Sequence, residues 1–403
     1  MATESLGSRS AGALDEAFDD VFLGPAEREL RERVRAVVAR EVAPRAAAVD
    51  AGSEFPEASY QALARSRLGG LLMPTELGGS DDSVLSYCVA MEEIAAGCGA
   101  TSTVYMTQMH CAHPIALAGT ADQRAASIPG LCSGTLYGSL AVTEPAAGSD
   151  VAAIRTVARR DGDEYVLNGA KTFITTGDRA DVIVLFATVD HDAGRRGITA
   201  FVLGGDAVGL STGRVLGKLG LRGSSTAELF LDDCRVPVSA RLGEEGGAYA
   251  LSIRSVVKSR MSASAQGVGF ARAAYAAAAR WAAERGLLAS SRRDAQAVQF
   301  ALADLRSEVV SARNLLYATA ALVDRSDSEP IPEVAVCKLR CTDAGVTVAL
   351  GAMDLLGRDG DLVELGVERI LRDARATQIY DGTNQVQRLL IARDVRVRLE
   401  EEG

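Results

Sequence analysis

The stretch DEYVLNGAKTFITTGDRADVIVLFATV, residues 163–189, decides the architecture. Runs rich in Val, Thr, Phe and Ile flank Asn168-Gly169, a dipeptide that favours two-residue turns and predicts a β-hairpin at that point. DVIVLFATV (181–189) and GITAFVLGG (197–205) are continuous apolar runs of buried-strand length, and AELFLDDCRVP (227–237) follows. Residues 136–243 are therefore expected to form a compact β domain.

On both sides the hydrophobic period changes from two to about 3.6. In PAERELRERVRAVVAREVAP (25–44), Leu30, Val34, Val37, Val38 and Val42 recur at helical spacing. SVLSYCVAMEEIAAGCGA (83–100) continues the helical texture, so residues 1–135 predict an N-terminal α-helical domain. Downstream, SASAQGVGFARAAYAAAARWAAERG (262–286) is dense in alanine, which permits close helix packing. Val298, Leu302, Leu305, Val309 and Leu316 form a further helical stripe, and NQVQRLLIARDVRVRL (384–399) fits a last helix. Residues 244–403 predict a C-terminal helical bundle. The strands do not alternate with helices, and no GxGxxG opens a helix after a strand, which excludes a Rossmann sheet.

Composition narrows the function. The 403 residues carry 53 acidic and 43 basic side chains, a formal charge of −10, with no basic block. Nucleic acid and anionic membranes are therefore poor candidates for partners. Seven scattered cysteines fit reduced thiols better than a disulfide framework. The first twenty residues have the composition of a flexible lead-in rather than a signal peptide. No apolar run reaches the ~18–20 residues needed to span a bilayer. A cytoplasmic protein is expected.

Four segments carry the chemistry: LAVTEPAAGSD (140–150), NGAKTFITTG (168–177), KLGLRGSSTAELFLDDCRVP (218–237) and QIYDGTNQVQRLLIAR (378–393). In order and spacing they resemble the acyl-CoA dehydrogenase family across residues 24–397, nearly the whole chain. The resemblance implies an α+β multidomain fold with a helical domain, a β-barrel-like domain and a four-helix bundle. It implies FAD as cofactor and oxidation of an acyl thioester, carried by coenzyme A or an acyl carrier protein, to the trans-2-enoyl product. It further implies an electron-transfer flavoprotein as acceptor and a homo-oligomer, tetramer or dimer.

Residue by residue, the resemblance places Leu140, Val142 and Thr143 at the polar edge of the flavin, and Gly148 and Ser149 near its pyrophosphate and the substrate's thioester arm. Phe173 stands where the family usually has tryptophan, beside the flavin, with Thr175 directing its hydroxyl toward N5. Strand alternation puts Phe173 and Thr175 on one face. Arg285, Thr383 and Gln385 match other FAD-contacting positions. Arg260, Tyr380 and Gly382, with Ser149, match substrate-binding positions.

Asp381 occupies the position of the family's catalytic glutamate. An acyl thioester α-proton is a weak acid, so the base must be buried and the carbonyl hydrogen-bonded, by resemblance through the Asp381 backbone N–H and a ribityl hydroxyl. Aspartate withdraws the carboxylate by roughly 1.2–1.5 Å relative to glutamate. Ser259, before Arg260, offers no relocated glutamate. Two readings of Asp381 stand side by side: catalytic base, or N-cap of the helix that DGTNQVQRLLIAR opens.

Other departures from the pattern are Leu288-Ala289 in place of the aromatic-glycine pair after Arg285, and Asp354 and Arg358 in the family's Q-x-x-GG segment. Arg358 is placed to meet a phosphate or to pair with Asp354. Relatives with other chemistry, N-hydroxylating monooxygenases or desulfinases, dispense with the base, and a non-catalytic flavin-binding homologue is the remaining alternative. His110, Cys111 and His113 lack a second ligand cluster and are taken as structural or surface groups, not a metal site. Cys337 and Cys341 are taken as buried thiols.

Overall fold

A computed structural model describes residues 18–289 and 295–402. The lead-in expected over the first twenty residues lies mostly outside these. Five helices build the N-terminal part after a short α1 (Asp19–Phe22): α2 (Pro25–Val37), α3 (Ala46–Gly52), α4 (Glu57–Arg65), α5 (Val84–Gly97) and α6 (Gly99–Ala118), with α7 (Ala121–Ser133) closing it. Pro25 at the first turn and the buried row Leu30, Val34, Val37 explain α2: proline lacks the donor that turn leaves unpaired, and the row forms one apolar stripe.

The strands are β1 (Gly138–Ala141), β2 (Val157–Asp161), β3 (Glu164–Thr175), β4 (Val182–Thr188), β5 (Ile198–Gly204), β6 (Leu210–Val215), β7 (Thr226–Pro237) and β8 (Arg241–Leu242). They form one sheet in the order β6-β7-β3-β2-β4-β5-β8, with β1 parallel to β4. Every residue of β4 is buried. Its alternation divides it between two cores. Val182, Val184 and Phe186 pack with Cys111, Ala112 and Ile115 of α6, while Ile183, Leu185 and Ala187 face the sheet's own core. In that core Tyr165 of β3 meets Phe201 of β5, ring centroids 5.0 Å apart, although two strands separate them. The sheet therefore curls over itself.

The hairpin expected at Asn168-Gly169 is not formed. Both residues lie inside continuous β3, and the reversal falls at Gly162 between β2 and β3. The dipeptide instead marks a register shift against β7. Asn168 exchanges bonds with Asp233: Nδ2 donates to Oδ1 at 3.1 Å, and the Asp233 N–H donates to Oδ1 of Asn168 at 2.9 Å. Gly169 has φ +152, and a Cβ there would come within 2.7 Å of Thr156 Cα. Close backbone approach, not a turn, requires this glycine.

The C-terminal part comprises α8 (Ala248–Glu284), α9 (Gln296–Arg325), α10 (Ile331–Leu356), α11 (Val367–Thr377) and α12 (Asn384–Glu402). At 37 residues, α8 is about 55 Å long. It crosses α10 where Gly267 meets the Cys341 carbonyl; a Cβ on Gly267 would lie 2.4 Å from that oxygen. The expected thiols Cys337 and Cys341 are buried with sulfurs 3.8 Å apart.

A buried ionic knot joins the two helical parts. Glu92 of α5 accepts from Arg272 of α8, from Arg313 Nε of α9 at 2.9 Å and from Tyr317 at 2.6 Å. Arg313 also donates to Asp19 of α1 at 2.8 Å. Burial disfavours the Glu92 charge, but Arg313 and Arg272 outweigh it and hold the carboxyl well below its usual range. Among the described residues no helix is long and apolar enough to cross a membrane.

Candidate active site

The loop between α11 and α12 turns sharply: Asp381 has φ +55 and Gly382 φ +84. Aspartate and glycine are residues that tolerate this left-handed region. The loop is pinned to α10. Lys338 Nζ donates to the Gly382 carbonyl and to Asn384 Oδ1, both at 2.9 Å, and Gln387 Nε2 reaches the same carbonyl at 2.7 Å. Tyr380 donates its hydroxyl to Gln266 of α8. Gln266 in turn donates to Ser102 Oγ at 2.8 Å and Thr103 Oγ1 at 3.1 Å on α6.

The helix cap is Thr383. Its Oγ1 accepts from the Val386 N–H at 3.2 Å, and its carbonyl accepts from Gln387 N–H at 3.0 Å. Asp381 stands two residues outside that position, so the N-cap reading of Asp381 is removed. Its Oδ2 is sealed from solvent and has no hydrogen-bond partner. Burial pushes its pKa up, against the opposing pull of His110, Lys338 and Arg260.

Those three groups converge from α6, α10 and α8. Burial pushes Lys338 down to about 8 and lowers Arg260 and His110 as well. Arg260 is 7% exposed, yet its Nε and Nη1 have no partner, and neither has His110 Nε2. His110, half-buried on α6, lies within electrostatic reach of Asp381. Ser259 spends its hydroxyl on the Val256 carbonyl at 3.1 Å.

The second group of residues lies where β1 leaves the sheet. Leu140 pairs with Val184, and Val142 and Thr143 lead into a tight turn over residues 144–147, closed by reciprocal Glu144–Ala147 backbone bonds of 2.9 and 3.1 Å. The turn is held from below. Lys171 Nζ donates to Glu144 Oε1 at 2.7 Å and to the Val142 carbonyl at 3.0 Å. Glu144 also accepts from the N–H groups of Arg155 (2.6 Å) and Thr156 (2.9 Å). Thr172 N–H bonds the Thr143 carbonyl at 2.9 Å, bringing β3 alongside.

Between Lys171 and Ile174 the register with β7 slips, and Phe173 takes φ +57 with 65% of its surface exposed. Strict alternation is thus broken at Phe173, because a bulge and not a flat strand presents the ring. Thr175 is half-buried, and its carbonyl accepts from Ser139 Oγ at 2.7 Å. Beyond it, Thr176 Oγ1 and Ser225 Oγ are buried without partners. Gly148 and Ser149 are exposed, and a Cβ on Gly148 would meet nothing. An exposed aromatic ring beside unpartnered hydroxyls fits a large ligand with an apolar face and polar edges, as FAD has.

Helix α6 borders both groups: Gln108 Oε1 accepts from the Gly138 N–H of β1 at 2.7 Å, and His110 lies within electrostatic reach of Asp381. Arg285 is not brought to either. It sits 25 residues beyond Arg260, about 38 Å along α8, where it bonds Asp359 at 2.9 Å and lies over Trp281 at 4.4 Å. Arg358 also leans on Asp359, at 3.7 Å, not on Asp354 as anticipated. Gln385 is exposed on the first turn of α12.

Three domain models of one family match in sequence. They are acyl-CoA dehydrogenase, N-terminal domain over residues 24–135, middle domain over 139–234 and C-terminal domain over 246–396. Human mitochondrial short-chain specific acyl-CoA dehydrogenase is 35% identical, the match covering 97% of this chain and 95% of the relative. Among solved structures, butyryl-CoA dehydrogenase from Megasphaera elsdenii superposes with a TM-score of 0.88 at 31% identity, over 93% of this chain and 98% of that one. Glutaryl-CoA dehydrogenase from Mycobacterium smegmatis, in complex with FADH2, gives 0.88 at 27% identity, over 95% and 98%. The chain belongs to the acyl-CoA dehydrogenase family, whose fold it has, and is a flavoprotein oxidoreductase by that membership.

Proposed function

We propose that this protein oxidises the α,β bond of an acyl thioester, with Asp381 as the base. The supporting observation is a carboxylate oxygen that is buried, unpartnered and relieved of capping duty by Thr383. Burial raises its proton affinity toward the range useful for a base. The pinned loop fixes it, since Lys338 and Gln387 restrain the adjoining Gly382 carbonyl.

In the reaction the α-proton passes to Asp381 Oδ2, the α,β double bond forms, and a hydride leaves the β-carbon. FAD supplies the hydride acceptor when bound. Leu140, Val142, Thr143, Phe173 and Thr175 would hold its ring system, with Gly148 and Ser149 toward the pyrophosphate and Thr383 and Gln385 as outlying contacts, Arg285 being too remote within one chain to join them. The Asp381 backbone N–H bonds the thioester carbonyl, which acidifies the α-carbon. Arg260, Tyr380 and Gly382 shape the substrate side. Coenzyme A or an acyl carrier protein bears the acyl group, an electron-transfer flavoprotein takes the electrons, and the chain works as a dimer or tetramer in the cytoplasm.

The test is anaerobic titration of the flavin absorbance with acyl thioesters. Wild type bleaches with at least one of them, and Asp381→Asn retains FAD while losing about 100- to 10,000-fold in reduction rate. Undiminished bleaching by Asp381→Asn removes Asp381 from the role of base.

A further inference from the structure

The reaction as described leaves one group at the site unused. His110 Nε2 is sealed from solvent and unpartnered, and His113 Nδ1, one turn further along α6, is in the same state. Burial keeps both rings neutral. His113 is pushed down to about 3, with Lys258, Arg254 and His110 adding to the effect. Burial lowers His110 while Asp381 opposes it. A neutral imidazole carries one donor and one acceptor, and a buried one left unbonded costs free energy.

Among the described residues the other polar groups around Asp381 are engaged or of a different kind. Lys338 is used by the loop, Tyr87 meets Ser262 at 3.0 Å, and Tyr380 is used by Gln266. Arg260 offers only donors. His110 is thus a neutral, unpartnered hydrogen-bonding group on α6 within electrostatic reach of the carboxylate.

We propose that His110 is a specificity-determining residue that selects an acyl group bearing an uncharged oxygen beyond the β-carbon. This rests on the dehydrogenase reading of Asp381. A hydroxyl or keto oxygen satisfies the neutral ring. A second carboxylate would face the Asp381 charge across the same pocket, which disfavours it. A plain hydrocarbon chain leaves the ring unbonded, and a site built to bond a hydroxyl discriminates against the methyl analogue.

The experiment uses the FAD-loaded enzyme and near-isosteric coenzyme A thioesters: 4-hydroxybutanoyl against pentanoyl, and glutaryl against 5-methylhexanoyl. Anaerobic flavin reduction gives the rate, and calorimetry gives the affinity for the corresponding 2-enoyl products. The hydroxylated chain is expected to exceed pentanoyl by about 10- to 100-fold in reduction efficiency. His110→Leu is expected to bring the ratio to one or below, and His110→Gln to restore part of it. Equal use of both chains, a ratio unmoved by His110→Leu, or preference for glutaryl overturns the proposal while leaving the dehydrogenase intact. Failure of every thioester to bleach the flavin overturns the dehydrogenase reading and this inference with it.

Discussion

Replacing Lys171 by methionine tests how the turn that carries Val142 and Thr143 is held. Lys171 is fully buried and Glu144 nearly so, with 2.7 Å between their charged atoms. Burial pushes Lys171 down to about 8, while Lys171 outweighs burial at Glu144 and keeps its carboxyl below the usual value. Removing one member of a buried pair costs about 3–5 kcal/mol, because the other charge stays buried alone. Glu144 keeps its bonds from Arg155 and Thr156, which places the loss near the lower end, about 3 kcal/mol. Lys171→Met with Glu144→Gln removes the stranded charge and should recover at least about 1 kcal/mol. Native-state hydrogen exchange over residues 140–175 is the assay, since it reports local opening without requiring two-state unfolding of three domains. The Thr172 amide, bonded to the Thr143 carbonyl, is the probe to follow. A loss below about 1 kcal/mol in the single variant, or a double variant no better than the single, would refute the idea that the ion pair holds the turn.

Three further outcomes follow from particular contacts. Thr383→Ala should cost about 1 kcal/mol and speed exchange at the Val386 amide, as expected for a lost helix cap. Asp373 is buried, and burial raises its carboxyl to about 7 despite the bond from the Leu221 N–H. Its folded pKa lies above its unfolded value, so its contribution is full below about pH 4 and is lost as pH rises through 7. Thermal unfolding of Asp373→Asn should therefore lack the decline that wild type shows over that range. Gly267→Ala puts a methyl 2.4 Å from the Cys341 carbonyl and should lower the unfolding midpoint by forcing α8 and α10 apart, a cost of about 1–3 kcal/mol.

The helix–sheet–helix order was legible because the hydrophobic period itself changes near residue 138 and again near 244. Local signals failed where distant partners decide. Asn168-Gly169 carries a turn's chemistry, but its conformation is set by Asp233 and Thr156 on neighbouring strands. Asp381 was open to a capping reading beside that of base, because an aspartate before a helix suits either, and it is the backbone that puts Thr383 in the cap position. His110 gave no signal because its meaning depends on a loop 271 residues later in the chain. A companion clue was available in Asp381 itself, a carboxylate placed where its family usually has a longer one.

The ionic knot around Glu92 bears on how the chain is assembled in time. It ties Asp19 to Arg313, partners 294 residues apart, through side chains that cannot stand alone in an apolar interior. The two helical parts are thus one body, and the sheet between them is an insertion into it. Closure of that body must await synthesis of α8 and α9, so Glu92 of the nascent N-terminal helices lacks its arginine partners until then. High sequence separation of this kind slows folding. Fragments cut at the sheet boundaries should accordingly be poor folders apart and complement one another when mixed.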